Sequence, residues 1–122
     1  ANVKWKETLG GEWRQYEDIF PAIAKSPIQQ VAIECRNSRV PLDLLAALPG
    51  KVIQAGVIDV ASDTVETAED VVKVIEAVSK FVPVSNIVAT TNCGMAPMRR
   101  DIAEAKLMAL GAGAKLARQK LG

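Results

Sequence analysis

Three short polar clusters carry the residue types from which chemistry is made: Glu34-Cys35-Arg36-Asn37-Ser38-Arg39, Asp59-Val60-Ala61-Ser62-Asp63 and Thr91-Asn92-Cys93-Gly94-Met95. Each closes a run rich in Val, Ile and Ala. A carboxylate leaving such a run is costly to bury unpaired, so Glu34 requires a cation, either a metal ion or an arginine such as Arg36 or Arg39. Cys93, just before Gly94, reads either as a small buried hydrophobe or as a thiolate metal ligand on a loop. Cys35 follows Glu34 directly, so strand alternation sends it to the opposite face, where it packs. Asp59 and Ser62 are candidate substrate contacts, or else turn and cap residues at a helix start. The chain contains no histidine, so a histidine acid, base or ligand must come from elsewhere.

The elements that would position these clusters follow from hydrophobic period. Residues 30–35 (QVAIEC), 51–60 (KVIQAGVIDV) and 86–91 (NIVATT) read as strands buried on both faces. Helical patterns precede, separate and follow them. Trp13, Tyr16, Phe20 and Ile23 fall at 3-4-3 spacing, with Pro21 expected to kink or restart that helix. A short helix over 42–48 starts after Pro41 and stops at Pro49-Gly50. Thr67-Ala-Glu-Asp is a helix start with two acids in its first turn, leading into a stripe of Val71, Val74 or Ile75, Val78 and Phe81. A last helix over about 99–119 carries Leu107, Leu110, Ala114, Ala117 and Leu121 on one stripe. Gly111 and Gly113 within it predict a close approach of backbones or a break. Gly111-Ala-Gly113 lacks the strand-turn-helix context of a dinucleotide loop.

Strands alternating with helices predict an α/β fold with a parallel sheet, in which functional residues gather at the carboxyl ends of the strands. The three polar clusters occupy those ends. A closed (β/α)8 barrel needs about 250 residues. With 122 residues, this chain supplies about three consecutive βα units, a partial TIM barrel whose single segment spans 1–122. Fifteen Lys+Arg against fourteen Asp+Glu give a net charge of +1, which is no footprint for nucleic acid or for a membrane surface. The composition, 49% hydrophobic and 24% charged, excludes a disordered tail. No apolar run approaches the roughly 18 residues of a membrane span. Two cysteines are too few for a disulfide scaffold and point to a reducing, cytoplasmic setting. The start at Ala1, with no signal-peptide core and no initiator methionine, suggests a processed or excised piece.

Taken in order, Ile33-Glu34-x-x-x-Ser38-Arg39, Gly56-Val57-Ile58-Asp59-Val60-x-Ser62 and Asn92-Cys93-Gly94 resemble the last part of cobalamin-independent methionine synthase. The likeness runs from about Tyr16 to the end, and Val65-Glu66 and the long terminal helix fit it. The resemblance implies the C-terminal portion of a (β/α)8 methyltransferase barrel with one zinc ion, held by a His-x-Cys pair, a Glu and a second Cys. By matching motif, Glu34 would be the carboxylate ligand and Cys93 the second thiolate, and the His-x-Cys pair would precede this segment. Asp59 would be the catalytic carboxylate, with Ser38 and Ser62 binding substrate. The family's Asp-x-His-Ser stands here as Asp59-Val60-Ala61-Ser62, so Ala61 replaces a histidine tied to acid chemistry. The implied reaction is zinc-dependent transfer of a methyl group, from methyltetrahydrofolate or a related donor, to a homocysteine-like thiol. It would need the remaining barrel half or self-association. The alternatives are an epoxyalkane:coenzyme M transferase-like thiol alkyltransferase, or a non-catalytic barrel remnant serving assembly.

Overall fold

The chain forms one parallel sheet of order β1-β2-β3, with β1 over Gln30–Glu34, β2 over Val52–Ile58 and β3 over Ile87–Thr91. The structure, a computed structural model, describes residues 13–122, and the reading of the first six residues lies outside them. The three predicted strands are all present and parallel. β2 is shorter than the apolar run by one residue at its start and two at its end, where Asp59 turns its amide away from the ladder to the Glu66 side chain.

Register divides the sheet into two faces. Ile33, Ala55 and Ala89 share one level, while Glu34, Gly56 and Thr90 share the next and point the other way. Ile53, Ala55 and Val57 are fully buried on the helix-covered face. On the opposite face Gln30, Ala32 and Val88 are exposed, and Glu34, Gln54 and Thr90 half-exposed. Burial on both faces, expected for every strand, holds only for residues 55–58 of the central strand. The edge strands have a neighbour on one side alone, and their second face is open among the described residues.

The helices explain that coverage. Helix α1, Tyr16–Lys25, runs through Pro21 on its exposed side and buries Phe20, which stacks on Tyr16 at 5.3 Å. After β1 a 3-10 segment, Leu42–Ala47, buries Leu44 and Leu45, and the chain then turns at Gly50, whose φ of +76° suits a residue without Cβ. Helix α2, Ala68–Ser79, starts on a reciprocal capping box: Asp70 N donates to Thr67 Oγ1 at 3.1 Å, and Thr67 N to Asp70 Oδ2 at 2.9 Å. It buries Val71, Val72, Ile75 and Val78. That packing supports a helix whose β-branched residues form it poorly alone.

Helix α3, Arg100–Leu121, is unbroken. A Cβ on Gly113 would stand 2.5 Å from Val71 Cγ1 and closer still to Val71 Cβ, so this glycine lets α2 and α3 touch. Gly111 faces open space. The expected stripe of α3 holds at Ala117, which is buried, and at Leu110 and Leu121, which pack against the core, but Lys106 and Gly113 are buried where Leu107 and Ala114 were expected. Lys106 is fully buried, whereas Leu107 is half exposed. No helix of the described residues is long and apolar enough to cross a membrane.

Candidate functional site at the carboxyl ends of the strands

All three polar clusters lie at one end of the sheet, because the strands are parallel and each cluster follows its strand. Backbone bonds weave these ends together. Gly56 O accepts from both Cys35 N at 3.0 Å and Arg36 N at 2.8 Å, and Asn92 N donates to Ile58 O at 2.9 Å. Asn92 then crosses over Gly56, and its Nδ2 donates to Arg36 O at 2.8 Å. A Cβ on Gly56 would come within 2.8 Å of Asn92 Cα, so the crossing requires glycine. Asn92 Oδ1 is buried without a hydrogen-bond partner among the described residues.

Glu34 and Ser38 line an open cavity of about 400 Å³ on the uncovered face, together with Trp13, Tyr16, Gln54 and Asn92. Ser38 Oγ accepts from Val40 N at 3.1 Å, a local turn that leaves the hydroxyl proton for donation. Asp59 is only 7% exposed. Its Oδ1 accepts from Ala61 N at 2.8 Å and its Oδ2 from Asn37 Nδ2 at 3.0 Å. Asn37 sits at φ 51°, the left-handed region that asparagine tolerates. Ser62 Oγ accepts from Thr64 N at 3.2 Å. The turn-forming reading of Asp59 and Ser62 therefore describes their local bonds. Asp59, Ser62 and Cys93 are not among the residues lining the cavity.

The two cysteines separate cleanly. Burial pushes the Cys35 thiol up to about 12 against the opposing Gly56 hydrogen bond, and Cys35 Sγ lies 3.4 Å from Ile33 O. It packs, as its place in the strand implies. Cys93 is exposed on the loop after β3, where its carbonyl accepts from Thr91 Oγ1 at 3.0 Å. Exposure removes the buried-hydrophobe reading of Cys93.

Sequence reasoning passed over the most buried charges. Lys106 Nζ donates to Asp59 O at 3.0 Å, Thr64 O at 2.7 Å and Glu66 Oε1 at 2.7 Å. Glu66 Oε2 accepts from Asp59 N at 2.7 Å. Arg36 Nε lies 3.7 Å from the same oxygen, and Arg36 Nη2 3.9 Å from Asp70 Oδ2. The Thr67 amide, more than Arg36, holds the Asp70 carboxyl below its ordinary range. A signal was present: Lys106, Leu110, Gly113 and Ala117 fall at 4-3-4 spacing, which places a lysine on a small-residue stripe. Among the described residues, no three His, Cys, Asp or Glu side chains gather as a metal site.

Comparison with known proteins adds a frame to this geometry. Residues 13–116 match the family model for the catalytic domain of cobalamin-independent synthase. Over 67 residues the chain is 43% identical to 2-hydroxypropyl-CoM lyase of Xanthobacter autotrophicus, covering 55% of this chain and 18% of that protein. It is 32% identical over 95 residues to methionine synthase of Pyrococcus horikoshii, covering 77% of this chain and 28% of the relative. Methionine synthase of Saccharolobus solfataricus is 30% identical over 109 residues, covering 87% and 32%. A B12-independent methionine synthase from Shewanella sp. W3-18-1, in complex with selenomethionine, superposes with a TM-score of 0.95 at 48% identity. That match covers 99% of this chain and 36% of the other. The chain thus spans between 18% and 36% of the length of these relatives.

Proposed function

The chain belongs to the cobalamin-independent synthase catalytic-domain family, and we propose from this that it forms the C-terminal portion of a (β/α)8 barrel that methylates a thiol. The thiol is homocysteine-like, the product methionine-like, and the donor methyltetrahydrofolate or a related methyl carrier. The activity belongs to the complete enzyme, acting in the cytoplasm. The observation that carries the reading is the placing of Glu34, Asp59 and Cys93 at one end of a parallel sheet, in a chain so similar to a methionine synthase holding selenomethionine.

Glu34 and Cys93 have the donor chemistry for zinc. One is a half-exposed carboxylate at the end of β1 and the other an exposed thiol on the loop after β3, the two strands that flank β2. Register puts Glu34 level with Thr90 two strands away, so their backbones stand roughly 10 Å apart. Cys93 follows Thr90 by three residues, and the His-x-Cys pair would be contributed by the rest of the barrel. Bound zinc lowers the pKa of a substrate thiol, so that the thiolate exists at neutral pH. Cys35 is unsuited to the same role, because burial keeps its thiol protonated.

The chain's own groups do the positioning. Ser38 and Glu34 face the cavity from β1 and its loop, where a substrate's polar atoms can be met. Asp59 is the catalytic carboxylate at the second strand end. The Ala61 amide and Asn37 already fix it, so it needs no reorganisation when substrate enters. Ser62, one turn further, contributes a hydroxyl on the same loop.

One observation favours a second reading. Ala61 stands where the family's histidine belongs, so residue 61 offers no proton to a departing methyl carrier. A coenzyme M-type thiol alkyl transfer uses the same metal end of the site, and the likeness to 2-hydroxypropyl-CoM lyase accords with it.

The deciding experiment is metal analysis and assay of the complete enzyme beside Cys93→Ser and Glu34→Gln. The parent is expected to hold about one zinc, and each folded variant to lose most of it together with thiol methylation. Full zinc and full activity in both variants would remove these residues from the metal site. Activity with an epoxyalkane and coenzyme M, and none with a methyl donor and homocysteine, would select the second reading. A complete protein with neither zinc nor activity would leave the barrel-remnant reading.

A further inference from the structure

The geometry points to Lys106 as a positioning residue which, with Glu66, fixes the loop carrying Asp59; the inference rests on the methyl-transfer reading above. Lys106 lies in the second turn of α3 and is fully buried. A buried ammonium persists only where its N–H groups meet acceptors. Lys106 meets three, one for each N–H: Asp59 O, Thr64 O and Glu66 Oε1. All three belong to the loop between β2 and α2.

Glu66 completes the grip. Its Oε1 takes the ammonium and its Oε2 takes the Asp59 amide. Residue 59 is therefore held at both of its backbone polar groups, N–H by Glu66 and C=O by Lys106. Rotating either peptide group would break a charge-assisted bond in a site shielded from water, where such bonds are strongest. With the backbone fixed, the Asp59 carboxylate keeps its bonds to Ala61 N and Asn37 Nδ2. Asn37 follows Arg36, whose Nε lies against the same Glu66 oxygen. The loops after β1 and β2 thus share one reference point, and that point is anchored in α3.

Stability alone does not call for this arrangement. An apolar pair of similar volume in place of a buried ion pair is often neutral or stabilising. What an apolar pair cannot do is orient Asp59.

The test uses the complete enzyme and the double variant Lys106→Met/Glu66→Gln. It removes both charges together, and the glutamine oxygen can still accept from Asp59 N. Expected are retained zinc, a thiol KM within about twofold of the parent, and a kcat lower by roughly 10- to 100-fold. A folded double variant with parental kcat would overturn the inference. Should the variant fail to fold, amide hydrogen exchange of the parent decides the matter. Asp59 and Ala61 amides are expected to exchange as slowly as those of β2, and exchange at the rate of exposed loop amides would sink the idea. A parent that methylates no thiol would defeat the functional reading instead, and the exchange rates would still report whether the loop is fixed.

Discussion

Cys35 and Cys93 present one functional group to two opposite surroundings. Cys35 is packed beneath the strand ends with its thiol pushed up to about 12, whereas Cys93 stands exposed. After chelation of metal, iodoacetamide at pH 8 is expected to label Cys93 quickly and to leave Cys35 untouched until the protein unfolds. Peptide mapping checks this, and equal labelling of both thiols would contradict the burial of Cys35. The sign of the linked pH effect follows. The folded value lies above the ordinary 9.0, so the contribution of the neutral buried thiol is complete below pH 9 and is lost as pH rises through about 12. Replacement by alanine should flatten alkaline unfolding in that window. The same contrast shows what sequence can reveal about a site. That Glu34, Asp59 and Cys93 gather at one end of the sheet was legible because polar residues close each apolar run, and polarity at a strand end is a local property. Lys106 and Glu66 were not, since a single lysine within a helix ordinarily lies in solvent. What buries this one is a carboxylate forty residues earlier.

Helix α3 offers two glycines with opposite consequences. At Gly111 nothing lies within reach of an added methyl, so Gly111→Ala should gain helix propensity and stabilise by up to about 1 kcal/mol. At Gly113 the methyl would strike Val71 at its branch point, which has no flexible end to move. Gly113→Ala should therefore destabilise by about 1–3 kcal/mol, the usual cost of overpacking. Denaturant unfolding of the two variants tests the pair, and matching signs would refute the packing of α2 on α3. Sequence periodicity located this helix and anticipated a close approach at its glycines. Which glycine makes the contact depends on α2, so it could not be seen along α3 alone. The strands were legible within a residue or two because Val, Ile and Ala dominate them. Their ends were less so, since β2 stops where Asp59 N finds Glu66, a side-chain event that hydrophobic runs do not encode.

On the scale of the described residues as a whole, β1 and β3 each pair on one side only there, and the sheet face bearing Glu34, Gln54 and Thr90 is uncovered. Open parallel edges with half-exposed neighbours invite further strands. The 122-residue chain by itself is expected to self-associate at micromolar concentration. Sedimentation velocity showing a well-folded monomer would contradict that. The α/β class and the parallel order were legible in the alternation of strand and helix patterns. The one-sided covering was not, because a strand waiting for a neighbour and a strand already covered have the same composition. The long-range latch between Lys106 and the Asp59 loop has a consequence in time. Lys106 follows Asp59 by 47 residues and Glu66 by 40. A growing polypeptide therefore makes β2 and its carboxylate well before it makes the ammonium that sets them. During synthesis the loop must wait, unlatched, until α3 has left the ribosome and docked, so this corner of the site is completed by the arrival of a helix made well after it.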